Sequence, residues 1–274
     1  MVIVKYKKNS LNDVSVFLNS FNDKNRKEIL KLIIDKVRLN KKTFYCGYEN
    51  KEDLEDFLDW FIFGLEKDAK FSFNFNSNEE TIKKICAETF FLCEDFLDDK
   101  LSVCIFPTVD KFVIEKMNGC SGFTPKKNNI ILVINFVKGW EIFLKQTLIH
   151  ELSHAISNYY NQGDCTLGEG LILEGIAEHF REYIVGGERS PWTKAITEEE
   201  AKKYLLNLKD KLNKKDMQLW RDVFFGSKEY PVWAGYTMGY YLIREYLKKQ
   251  KEINWKKIIK TNPNKILKEV ILNT

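Results

Sequence analysis

Thr147-Leu148-Ile149-His150-Glu151-Leu152-Ser153-His154-Ala155-Ile156 is the stretch from which the rest of the chain can be read. On a helix, His150 and His154 stand one turn apart on one face, where their ring nitrogens can grip a single cation. Glu151 projects about 100° away from His150. It is therefore poorly placed to be a further ligand on that face, but it can reach a water molecule beside the cation. The chain has only three histidines, and the chance that two of them fall four apart with Glu after the first is on the order of 0.2%. Leu148, Ile149, Leu152, Ala155 and Ile156 make the helix apolar, so it is expected to be buried, and buried imidazoles need partners.

A hydrolytic metal site takes three protein ligands and leaves a fourth position for water, so a third ligand is sought downstream. A His-x-x-Gly-x-x-His continuation is excluded, because position 157 is Ser and position 160 is Tyr. Asp164 lies in a loop rich in turn residues and is one candidate. Glu174 is preferred: it sits among apolar residues halfway along the next helical stretch, where a carboxylate requires a cation or an arginine. Gly175 and Ala177 beside it would let that helix press against the histidine helix. Glu178, one turn further, reads either as an acceptor for a ligand imidazole or as a partner of Arg181. His179 falls on another face and stays in reserve.

Outward from this centre the pattern is mostly helical. Apolar residues at helical spacing predict helices over 23–37, 51–66 and 78–98, so that the first hundred residues read as helices. Val103-Cys104-Ile105-Phe106 and the run 130–136 read as strands, with Asn118-Gly119 and Ser121-Gly122 between them read as turns. Helices return over 141–159 and 169–185, after the capping box Thr197-x-x-Glu200, over 234–249 and after Pro263. The expected fold class is α+β, mostly helical with a small sheet. It divides into a helical N-terminal region, 1–100, and a domain carrying the site, 101–274.

Composition narrows the function classes. Of 274 residues, 44% are hydrophobic and 14% aromatic, enough for a sizeable core and too many for a disordered chain. Lys and Arg number 43 against 39 Asp and Glu, so there is no cationic field and no nucleic-acid partner is expected. The longest apolar run, 130–137, is too short for a bilayer, so no membrane association is expected. At the N-terminus an apolar patch precedes the lysines, the reverse of a secretory signal. The six cysteines form no Cys-x-x-Cys pair and read as reduced, mostly buried thiols of a cytoplasmic protein. The abundance of Lys, Asn, Ile and Phe resembles the usage of an AT-rich bacterial genome.

His150-Glu151-x-x-His154, followed after twenty residues by Glu174-Gly175-x-Ala177-Glu178, is similar to the gluzincin metallopeptidases. Phe225-Gly226 together with Pro231-x-x-Ala234-Gly235-Tyr236-x-x-Gly239-Tyr240 resembles the YjaZ-type family of predicted Zn-dependent proteases, a likeness that covers roughly 130–246. The resemblance implies a thermolysin-like zincin core with Zn2+ on His150, His154 and Glu174, Glu151 as general base, and a peptide or protein substrate. By the same analogy, the strand 130–136 would lie at a sheet edge along the substrate. An oxyanion donor is still required, and the chain offers Tyr236, Tyr240 and His179. Tyr236 is preferred, because a tyrosine hydroxyl donates at all relevant pH and Gly235 before it would leave room for a substrate or for close approach to the metal helix. Gly235 and Gly239 would equally suit close helix packing. Two rivals remain: a zinc-stabilised binding or regulatory protein without catalysis, and a zinc hydrolase of a non-peptide substrate. The first is disfavoured because structural zinc sites usually fill all four positions, often with cysteines, and no Cys lies at suitable spacing near His150.

Overall fold

The computed structural model describes residues 2–7, 27–28, 30–31, 51–64, 77–97, 100–160 and 165–271. The chain divides into two units, Met1–Glu151 and Leu152–Thr274. In the first, a four-stranded sheet takes the order β1-β2-β4-β3, with β1 at Val2–Lys7, β2 at Lys100–Pro107, β3 at Cys120–Lys126 and β4 at Asn129–Ile134. β1 runs antiparallel to β2, β2 parallel to β4, and β3 antiparallel to β4. β4 is buried from Ile130 to Ile134, the continuous apolar pattern of a strand with neighbours on both sides. This corrects the edge position expected for 130–136: among the described residues it is β1 and β3 that pair on one side only.

Two strands escaped the sequence reading. β1 lies within the hundred residues read as helical, and β3 contains Ser121-Gly122, read as a turn. Of the helix expected over 23–37, residues 27–28 and 30–31 are helical and the remainder lies outside the described residues. Helix α1 (Lys51–Phe63) lays Phe57 and Phe61 against Phe123 of β3, with ring centroids 4.9 and 6.1 Å apart. The Thr108 hydroxyl, beyond β2, donates to the Ile62 carbonyl at 2.7 Å. Helices α2 (Glu79–Leu92) and α3 (Lys111–Lys116) complete the unit, and helix α4 (Trp140–Ile156) runs through its boundary.

The second unit is built around α5 (Leu167–Val185), which is buried at every position from Gly170 to Arg181. A helix apolar on all sides must lie inside. Its start is fixed by a capping box: Thr166 Oγ1 accepts from the Glu169 amide, and the Glu169 carboxylate accepts from the Thr166 amide at 2.8 Å. α6 (Glu198–Leu208) opens with the expected Thr197–Glu200 capping box. α7 (Met217–Phe225), α8 (Ala234–Lys248), α9 (Trp255–Ile259) and α10 (Pro263–Ile271) follow. α7 and α9, at 9 and 5 residues, are too short to show a periodicity and had no counterpart in the sequence reading.

α5 and α8 meet at glycines. A Cβ on Gly175 would run into the Gly239 carbonyl, and one on Gly239 into that of Leu171. The small residue after Glu174 therefore serves contact with α8 rather than the expected contact with the histidine helix. Gly235 likewise backs onto the Phe224 ring, so the space foreseen there for a substrate is filled by packing. Cys86, Cys93, Cys104 and Cys120 are buried free thiols, and Cys165 is a half-buried one. Among the described residues no helix is long and apolar enough to cross a membrane.

Gly175→Ala should force α5 and α8 apart. We expect a loss of about 1–3 kcal/mol in urea unfolding, the usual cost of overpacking; unchanged stability would contradict the close crossing.

Candidate metal centre

Helix α4 places His150 and His154 one turn apart, and both are buried. One ligand atom from each of His150, His154 and Glu174 lies within 4.8 Å of the others. His154 Nε2 stands 3.4 Å from Glu174 Oε2. That is long for a hydrogen bond. It matches the separation of about 3.3–3.4 Å between two ligands that each lie 2.0–2.1 Å from a tetrahedral ion. Two imidazoles and one carboxylate are also the donor chemistry that suits zinc, so the residues present fit the ion. Asp164, the other candidate ligand, lies outside the described residues.

Glu151, 6% exposed, is seated by β3. The Thr124 hydroxyl donates to Glu151 Oε2 at 2.7 Å, with the Glu151 carbonyl oxygen 3.1 Å away. A Cβ on Gly122 would collide with Glu151 Cγ. This explains the glycine inside a strand: it marks a close approach, not a turn. Thr124 was not singled out from the sequence, and Gly122 was read only as part of a turn. The one signal was the glycine itself.

Glu178 shows the arginine pairing, one of its two expected readings. It is 1% exposed, as is Arg181, which donates to its Oε2 at 3.2 Å. The Ser190 hydroxyl donates to the same oxygen at 2.8 Å, and the Trp192 indole to Oε1 at 2.7 Å. Arg181 also donates to the carbonyls of Gly186 and Glu188, fastening the chain after α5 to the helix.

The three candidate oxyanion donors separate. His179 Nε2 donates to the Tyr240 carbonyl at 3.0 Å, and the two rings stack at 4.1 Å. The Tyr240 hydroxyl donates to Glu182 Oε2 at 2.9 Å, and the Arg189 guanidinium covers the Tyr240 ring. Burial pushes the Tyr240 hydroxyl up to about 12, reinforced by Glu182, and raises the Glu182 carboxyl. Tyr236, in the first turn of α8, is half-buried and edge-on to Phe224 at 5.0 Å.

A helix bearing His150-Glu151-x-x-His154, with Glu174 brought to the second histidine by the following helix, is the arrangement of a metal-dependent hydrolase. Residues 82–268 match the family described as "Predicted Zn-dependent protease (DUF2268)", and the chain belongs to it. Comparison with curated proteins and with solved structures gives no match.

Burial holds the His179 imidazole down to about 4, against an ordinary value of 6.5, with the hydrogen bond to Tyr240 opposing in part. Below pH 6.5 the unfolded chain takes up a proton that the folded chain refuses until about pH 4. The stability is therefore fully present above 6.5 and is lost as pH falls through that window, by up to about 3 kcal/mol. In urea unfolding of chelator-treated protein, His179→Gln should flatten this decline. An unchanged slope would contradict the buried neutral imidazole.

Proposed function

We propose that the chain is a zinc metallopeptidase of the gluzincin kind, with His150, His154 and Glu174 as the ligands and Glu151 as general base. The carrying observation is the convergence of those three donor atoms, with His154 and Glu174 at 3.4 Å, one residue away from a carboxylate anchored by Thr124. Zinc at such a centre supplies Lewis acidity, which makes a water acidic near neutral pH and polarises a carbonyl. The Glu151 carboxylate, with Oε2 held by Thr124 and its stem against Gly122, accepts the proton of the attacking water and delivers it to the leaving nitrogen. Two histidines and one carboxylate are a ligand set of catalytic zinc sites, whereas structural sites are usually cysteine-rich.

A peptide or protein is the substrate class that the family description supports. The docking role foreseen for 130–136 passes to β3, which has an unpaired side among the described residues and carries both contacts to Glu151. The thermolysin-like core and the division at residues 100/101 belong to the same proposal. The order of the two ligand-bearing helices along the chain supports the core. For the oxyanion donor we retain Tyr236, half-buried in the first turn of α8.

Purified protein should carry about one zinc per chain, and His154→Ala should lose it. Glu151→Gln should keep the metal while turnover of a degenerate peptide library falls by orders of magnitude. Chelator-insensitive cleavage, or near-normal cleavage by Glu151→Gln, would overturn the reading.

Tyr236→Phe preserves the ring on Phe224 and deletes the hydroxyl. It should lower kcat by roughly 10- to 1000-fold with zinc content unchanged. Wild-type kcat would remove Tyr236 from the mechanism.

A further inference from the structure

We propose that Tyr160 is a positioning residue for the metal centre: its ring lies on the face of the His154 imidazole, fixes the plane in which Nε2 points, and tightens the hold on the ion. The inference rests on the reading of His154 as a ligand. The rings are stacked, with centroids 4.1 Å apart and planes 25° from parallel.

Local sequence produces this contact. α4 ends at Ile156, two residues beyond His154. The Ser157 amide donates to the His154 carbonyl at 3.2 Å, closing a tighter last turn, and the Tyr159 amide donates to Ser157 Oγ at 3.2 Å. The chain thus bends beside the last turn of the helix and returns the Tyr160 ring to His154. Tyr159 stays 43% exposed while Tyr160 is half-buried, so the fold distinguishes the two adjacent tyrosines.

An imidazole needs this kind of restraint. Its second side-chain torsion is broad, unlike the staggered first one, and rotation about it swings Nε2 away from Glu174 Oε2. An aromatic plane at stacking distance blocks that rotation, because the imidazole edge would strike the phenol face. The face also contributes electrostatically. A cation on Nε2 draws electron density from the imidazole, and the negative face of an aromatic ring attracts the positive ring that results. The contact is therefore stronger with metal than without. That difference is what raises affinity.

The test measures zinc affinity by competition with a chromophoric chelator, the visible spectrum of the cobalt-substituted protein, and the melting temperature of the metal-free protein. Tyr160→Leu, which fills space without a π face, should weaken zinc binding by about 10-fold. It should also shift the cobalt bands, while the metal-free melting temperature stays close to wild type. Tyr160→Phe, which keeps the face, should bind zinc within about twofold of wild type. If Tyr160→Leu does not fold, Tyr160→Met takes its place with the same expectation. Wild-type affinity and spectrum in the Leu or Met variant would overturn the inference, as would a Phe variant as weak as the Leu. His154→Ala separates the two levels. Loss of zinc there with undiminished zinc in Tyr160→Leu removes only the positioning role, whereas undiminished zinc in His154→Ala removes the ligand reading itself.

Discussion

A carboxylate inside a helix that is buried on all sides must be neutralised where it stands, and α5 carries two, Glu174 and Glu178, one turn apart. Desolvating an unpaired carboxylate costs several kcal/mol even after relaxation, a large fraction of the stability of an ordinary domain. The chain answers the demand in two ways. Glu178 receives a permanent counter-charge from Arg181 and two neutral donors, Ser190 and Trp192. Glu174 faces His154, and in the proposed site the two would share one ion. One anion is thus met by an arginine, and the other would be completed by a cation.

That arrangement constrains the glycines. Glu174 is followed by the residue at which α5 meets α8, and the backbone approach there tolerates no side chain. In the first unit, Gly122 gives up its side chain to the stem of Glu151. Both positions look like conformational permissiveness in the sequence, yet neither has a left-handed backbone. What they provide is room.

The sequence made the site legible because its parts are close along the chain. His150, Glu151 and His154 share one helical turn, and Glu174 announces itself as a charge among apolar neighbours. One helix start was legible for the same local reason: the capping box at Thr197 is formed by residues three apart, whereas the equally local box at Thr166 was not read. Contacts that span the chain were not. Thr124 meets Glu151 across 27 positions and Trp192 meets Glu178 across 14, and a threonine in a strand or a tryptophan after a proline carries no mark of either partner. The sheet order was hidden similarly, since β1 pairs with a strand almost a hundred residues away. A run such as Ile130-Ile131-Leu132-Val133 shows that a strand is buried without saying which strands flank it.

The local pairing of Glu178 also bears on what Glu174 can do. Residues four apart on a helix are separated by about 6 Å along its axis, and a unit charge at that distance acts with about 3 kcal/mol at an effective dielectric constant of 20. An unneutralised Glu178 would therefore add a second, nearly adjacent negative field to the ligand set. By fixing Arg181 against Glu178, the fold cancels most of that field at its source. In the proposed ligand set, a dication on two imidazoles and the single carboxylate of Glu174 would keep one unit of positive charge uncompensated. Polarising a carbonyl and acidifying a water both depend on that residual charge. The buried Arg181–Glu178 pair, which contributes little net stability by the usual balance of desolvation against attraction, acquires a reason to exist in the electrostatics of the turn that precedes it.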